Sequence, residues 1–199
     1  GAVGIHPHYA SDVPPDDIEE VRKFATNKKI VAIGETGLDF HYNFSKQAAQ
    51  KRLFEELLQI AAECKLPAII HSRNAYDETM EIIDSFKDRL TNVVFHCWGG
   101  DAEQTKIILD KGFYISFTGV ITFKNAQQTR DAAKIVPLER MMIETDCPYM
   151  SPEPMRKQKI NEPALLIHTA QKIAELKNIS LEKFAEKITA TTKNFFGII

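Results

Sequence analysis

The sequence is poor in cysteine. Its three thiols, Cys64, Cys97 and Cys147, keep no CxxC spacing and sit beside helix-like or strand-like runs. That excludes a disulfide framework and makes a reducing cytoplasm the expected compartment. Excess charge is lacking too. With 25 Lys and Arg against 27 Asp and Glu, the chain has no global basic field of the kind that coats DNA non-specifically, so a nucleic-acid partner requires local basic groups or bound metal ions. No apolar run reaches the roughly 18 residues of a membrane span. The first residues carry no basic-then-apolar secretory pattern, so neither a membrane partner nor export is expected. Internal repeats, low-complexity tracts and linkers are missing as well. What is there is 199 residues, 44% apolar and 26% charged, enough for a single domain over residues 1–199 with one sizeable core.

Short β-branched or apolar runs alternate with longer amphipathic ones, the pattern of repeated βα units around a parallel sheet. Strands are predicted at residues 2–5, 30–34, 68–70, 93–95, 114–117 and 141–143, and helices at 16–27, 45–64, 76–86, 102–111, 126–136, 162–176 and 181–191. In the second helix Ala49, Leu53, Leu57, Ile60 and Ala61 share one face, the spacing of a helix laid on a sheet. Ser180, followed by Glu182 and Lys183, is the expected cap of the last helix. The fold class is α/β, a TIM-type (β/α) barrel. Six of the eight strands that such a barrel needs are counted, and a closed barrel typically takes about 250 residues. Because the chain opens inside a strand without an initiator Met, the shortfall of roughly two βα units is expected at the N-terminal side.

Nearly every predicted strand delivers an ionisable residue at its carboxyl end. The first leads to His6 and His8, the second to Glu35, the third to His71, the fourth to His96 and the last to Asp146. Carboxyl ends of parallel barrel strands meet at one mouth, so two imidazoles and two carboxylates there make a divalent-metal site. A lone histidine after an apolar run is ordinarily a hydrogen-bonded packing residue, but four coincidences at successive strand ends favour ligation. Glu144, two residues before Asp146, reads as a structural ion-pair partner one layer deeper. His41 and His168 read as non-functional, and Cys97 and Cys147 as small buried residues. Trp98 is placed either over the barrel mouth or stacked on a base.

In order and spacing, GIHPH, GETGLDF, HSR, HCWGG, ETDCPYMSP and NEP resemble the TatD family of metal-dependent deoxyribonucleases, amidohydrolase-like TIM barrels, over essentially the whole chain. The resemblance implies Glu35 as a metal-bridging carboxylate, His71 and His96 as ligands on one metal, and Asp146 as ligand of the other metal and proton acceptor. It implies a 3′-to-5′ exonuclease on single-stranded DNA. His6 and Arg73 are candidates for holding the phosphate, with Asn161 of the NEP motif as a further substrate-binding candidate; the plain alternative for Arg73 is a surface ion pair. The two-metal site is expected to take Mg²⁺ first, with Mn²⁺ or Zn²⁺ as alternatives. The complete barrel is expected to be a monomer.

Two features depart from the family pattern. The His-x-His pair of the family's first strand is not found, since His6-Pro7-His8 belongs to the separate GIHPH motif. A Lys157-Gln158-Lys159-Ile160 stretch replaces the usual Gly-Lys-Arg type of loop, leaving Arg156 and Lys159 as substitutes. Two rival functions follow: a metal-dependent amide or ester hydrolase acting, for example, on an aminoacyl ester, or a catalytically incomplete fragment.

Overall fold

The computed structural model describes residues 1–198. Two compact units are formed, Gly1–Phe95 together with the residues from Phe195 on, and His96–Asn194. The first unit runs β1 (Ala2–Val3), α1 (Pro15–Ala25), β2 (Ala32–Asp39), α2 (Gln47–Cys64), β3 (Ala68–Arg73), α3 (Tyr76–Phe86) and β4 (Val93–Phe95). Its strands are parallel and lie side by side in chain order. The second unit holds α4 (Ala102–Asp110), β5 (Tyr114–Phe117), α5 (Gln127–Ile135), β6 (Met141–Ile143) and α6 (Leu166–Lys177), with α7 (Leu181–Phe196) closing the chain. Strands β5 and β6 pair in parallel through Ile115 with Met141 and Phe117 with Ile143. The six strands alternate with helices as the α/β reading expects, and no helix among the described residues is long and apolar enough to cross a membrane.

Helix α2 shows why these segments fold as they do. Leu53, Phe54, Leu57, Leu58, Ile60 and Ala61 recur at helical spacing and are all buried against the sheet. Each of the larger ones contributes about 1.5–3 kcal/mol by leaving water. The helix stops at Lys65, whose left-handed backbone (φ 55°) turns its N–H onto the Ala61 and Ala62 carbonyls. Helix α4 starts from a capping box, with Asp101 Oδ1 accepting the Gln104 N–H at 2.8 Å, and Lys183 N–H donates to Ser180 Oγ at 3.3 Å at the start of α7. These caps satisfy amides that the helix itself leaves open.

Strands β4, β5 and β6 and helix α3 have the predicted bounds, whereas β1 is shorter and α7 five residues longer at its end. The last predicted helix before α7 begins as a 3-10 turn, Pro163–Leu165, because a proline opens it. The consequential differences are β2 and β3. The former runs on to Asp39 and the latter to Arg73, so Glu35 and His71 lie inside strands and do not end them. The glycines of GETGLD are places where backbones touch. A Cβ at Gly34 (φ +152°) would lie 2.6 Å from Ile69 Cβ, and one at Gly37 (φ +135°) 2.0 Å from the His71 carbonyl oxygen. The strand bulges between Ile33 and Thr36, then resumes regular pairing with β3.

Candidate metal centre

From Thr36 onward β2 pairs regularly with β3, so Gly37 and Asp39 share one face and the buried Thr36 and Leu38 the other, while Glu35, inside the bulge, reaches the same His71 ring. His71 of β3 pairs with Gly37. Its ring therefore stands between the two carboxylates. His71 Nδ1 lies 2.7 Å from Glu35 Oε1, and Nε2 lies 3.1 Å from Asp39 Oδ2. An imidazole held this way has one nitrogen fixed by a buried carboxylate and the other turned toward a second, more open one. This is the arrangement by which a histidine ligand is oriented for a metal ion.

The third member of the cluster arrives from β1. A Cβ at Gly4 would come within 2.8 Å of the Gly34 backbone, so only glycine lets the exit of β1 lie against β2 and carry His6 to Glu35. His6 Nε2 is 3.5 Å from Glu35 Oε1. Among the described residues, His6, Glu35 and His71 are the group whose donor atoms all come within 4.8 Å of one another. Their tautomers divide the work, however. His6 Nδ1 accepts the His8 N–H at 3.2 Å, which leaves the ring proton of the neutral imidazole on Nε2. His6 thus faces the cluster as a donor, suited to an anionic oxygen, while Glu35 and His71 Nδ1 offer the atoms that could hold a metal ion.

Asp39 is the residue that reading the sequence missed. It is fully buried, with Oδ2 within 3.0 Å of His8 Nε2 as well as facing His71, and Oδ1 accepting the N–H groups of His41 and Tyr42 at 2.9 and 3.0 Å. Burial pushes its carboxyl up, but the Tyr42 N–H, His8 and His71 outweigh that and hold it at about 2. The predicted strand stops at residue 34, whereas β2 runs on to Asp39, so Asp39 falls beyond the strand when the sequence is read alone.

In the second unit His96 follows β4 and is backed in the same way. Its Nδ1 lies 3.1 Å from Glu144 Oε2, and Glu144 Oε1 accepts the Cys97 N–H at 2.8 Å. Burial pushes the Glu144 carboxyl up, while the hydrogen bonds from His96 and the Cys97 N–H outweigh it and keep it below the usual range. With Nδ1–H committed to Glu144, the His96 lone pair is on Nε2. Cys97 and Asp146, on either side of Glu144 in this unit, both adopt left-handed backbones (φ 46° and 56°), a strain of about 1–3 kcal/mol each that clusters at functional sites.

Trp98 is buried, its indole N–H donating to Thr105 Oγ1 at 2.9 Å, so it does not stack on a base. Cys147 is exposed and not buried as the sequence suggests. Asn161 is 3% exposed and its amide donates to the Thr145 and Tyr149 carbonyls, holding the loop after β6. Arg156 lies over the Phe123 ring, 3.9 Å from its centroid. The thiols differ accordingly. Burial pushes Cys97 up to about 11, so a neutral-pH alkylating agent is expected to modify Cys147 and leave Cys97 intact until the pH nears that value or the chain unfolds. Peptide mass mapping checks this, and equal labelling of both at neutral pH contradicts it.

The donor set of carboxylate oxygen and imidazole nitrogen, each imidazole backed by a further carboxylate, fits a divalent ion. Comparison with known proteins decides the family. The profile of TatD-related DNases matches residues 1–197. The chain belongs to the TatD family. An uncharacterized metal-dependent hydrolase of Buchnera aphidicola subsp. Baizongia pistaciae is 43% identical over 195 residues, 98% of this chain and 72% of that protein. The 3′-5′ ssDNA/RNA exonuclease TatD of Citrobacter rodentium is 36% identical, across 98% of this chain and 76% of its own length. The crystal structure of YJJV, a TatD homologue from Escherichia coli K12, superposes on the whole chain and on 76% of its own with a TM-score of 0.91 at 27% identity. The TIM-type α/β fold class and the assignment as a metal-dependent hydrolase of ester bonds, both read from the sequence, stand with the TatD family.

Proposed function

We propose that this TatD-family hydrolase cleaves phosphodiester bonds of single-stranded DNA from the 3′ end. The observation that carries the reading is His71 held between Glu35 and Asp39, with His6 presenting an N–H and not a lone pair beside them. That combination serves a metal ion and an anionic oxygen together. In this proposal Glu35, His71, His96 and Asp146 would hold the divalent ions. When bound, divalent ions would polarise the phosphoryl oxygen, lower the pKa of a water and stabilise the leaving oxygen.

The chain's own residues do the remaining work. Asp39 and Glu144 fix the tautomers of His71 and His96, His6 Nε2–H and the Arg73 guanidinium hold phosphate oxygens, and Asp146 accepts the proton of the attacking water. Mg²⁺ is the proposed ion, and the cytoplasm and a monomeric state are the proposed setting. The test is nucleotide release from 3′-labelled single-stranded DNA with Mg²⁺ and with EDTA. Metal-dependent release is expected. No release, with cleavage of a small carboxylic ester, overturns the substrate assignment in favour of an ester hydrolase.

A further inference from the structure

The loop that leaves β2 carries apolar surface with no structural use. Tyr42 is 48% exposed and Phe44 67% exposed, yet the two rings are parallel to within 1°, with centroids 5.3 Å apart. The His8 ring stands edge-on to both, 5.6 and 4.9 Å away, and the Arg73 guanidinium lies 4.6 Å from the Tyr42 centroid. Large aromatics left in water in an ordered array mark a recognition surface.

The array is also anchored at both ends. Asp39 Oδ1 receives the N–H groups of His41 and Tyr42, while its Oδ2 faces His8 and His71. At the far end the Ser45 hydroxyl donates to the His8 carbonyl at 2.7 Å and accepts the Ser11 N–H at 3.0 Å. One buried carboxylate therefore joins the aromatic ledge to the metal centre. The exposed side chains of residues 40–46 include no acid and add Lys46, and Arg73 lies beside them. In a chain of net charge −2, this is a local patch of π-faces and positive charge.

We propose that Tyr42 and Phe44 form a stacking ledge for a nucleobase of single-stranded DNA, next to the phosphate held by Arg73 and His6. This rests on the phosphodiesterase reading and adds to it how the unpaired strand is recognised. Base stacking on aromatic side chains is sequence-tolerant, because every base has a π-face, and cation–π contact from an arginine reinforces it. A duplex keeps its bases stacked inside and cannot use such a ledge without opening.

Two oligonucleotides of equal length separate the possibilities, one of thymidines and one with abasic sites at its last two 3′ positions. KM is read from nucleotide release in Mg²⁺, and affinity from fluorescence anisotropy in EDTA. The wild-type protein is expected to prefer the base-containing strand by about tenfold in both readouts, and Phe44→Ala to remove most of that preference while Phe44→Trp keeps it. If Phe44→Ala and the Tyr42→Ala/Phe44→Ala double variant retain the wild-type preference, or the wild-type protein has none, the ledge is overturned even where release is metal-dependent. If base-dependent binding is lost in Phe44→Ala but no nucleotide is released by any form, the ledge stands and the phosphodiesterase reading falls.

Discussion

Glu35→Gln is expected to lower turnover on single-stranded DNA by about a thousandfold or more, the range for removing a group that acts on charge in the transition state. Glutamine keeps the shape of the side chain and places an amide N–H able to donate to His71 Nδ1, which lies 2.7 Å from the carboxylate in the wild-type protein, so the sheet has no reason to rearrange. What disappears is the negative charge that, with His71 Nδ1, makes the cluster attractive to a cation. Metal affinity is expected to fall with turnover, by at least about tenfold to a hundredfold, while DNA affinity measured in EDTA changes far less. Steady-state release assays and metal titrations of the purified variant read both quantities. Wild-type turnover in Glu35→Gln contradicts the ligand role.

The largest effect on stability is expected from Gly37→Ala. Two costs combine there. The residue has φ +135°, which an L side chain rarely adopts, and its Cβ would lie 2.0 Å from the His71 carbonyl oxygen and 2.9 Å from the carbonyl carbon. Neither obstacle is a flexible side chain, so β2 and β3 must separate, at a cost of about 3 kcal/mol or more. The separation pulls His71 from Glu35 and Asp39, and turnover is lost with stability. Gly112→Ala is the control, because that glycine also has positive φ (+80°) but nothing within 4 Å of its Cβ position. It is expected to cost only about 1 kcal/mol of backbone strain. Urea unfolding midpoints of the two variants decide the matter, and equal losses contradict the close-approach account.

Gly34 and Gly37 explain how much of the molecule could be read in advance. Elements bounded by ordinary turn chemistry were legible: β4, β5, β6 and α3 lie where apolar runs and their breaks put them. The end of β2 was not legible, because glycine signals a turn in sequence and a close backbone approach in space, and only the pairing partner distinguishes the two. The same ambiguity hid Asp39, which is visible as a site residue once Glu35, Gly37 and Asp39 are known to lie in one strand. Motif residues with ligand chemistry, Glu35 and His71, could be named from sequence, whereas the division of labour between them and His6 depended on a single backbone N–H donated to His6 Nδ1. Asn161 and Trp98 illustrate the converse. Both belong to recognisable motifs, and both turn out to be occupied in holding loops.

Glu35 and His71, oriented by Asp39, are proposed to hold a catalytic divalent ion, and anomalous diffraction from crystals of the protein grown with Mn²⁺ tests this directly. A manganese peak is expected within bonding distance of Glu35 Oε1 and His71 Nδ1, with Asp39 still on His71 Nε2. Manganese bound only elsewhere, with His71 Nδ1 and Glu35 still paired to each other as they are here, contradicts it.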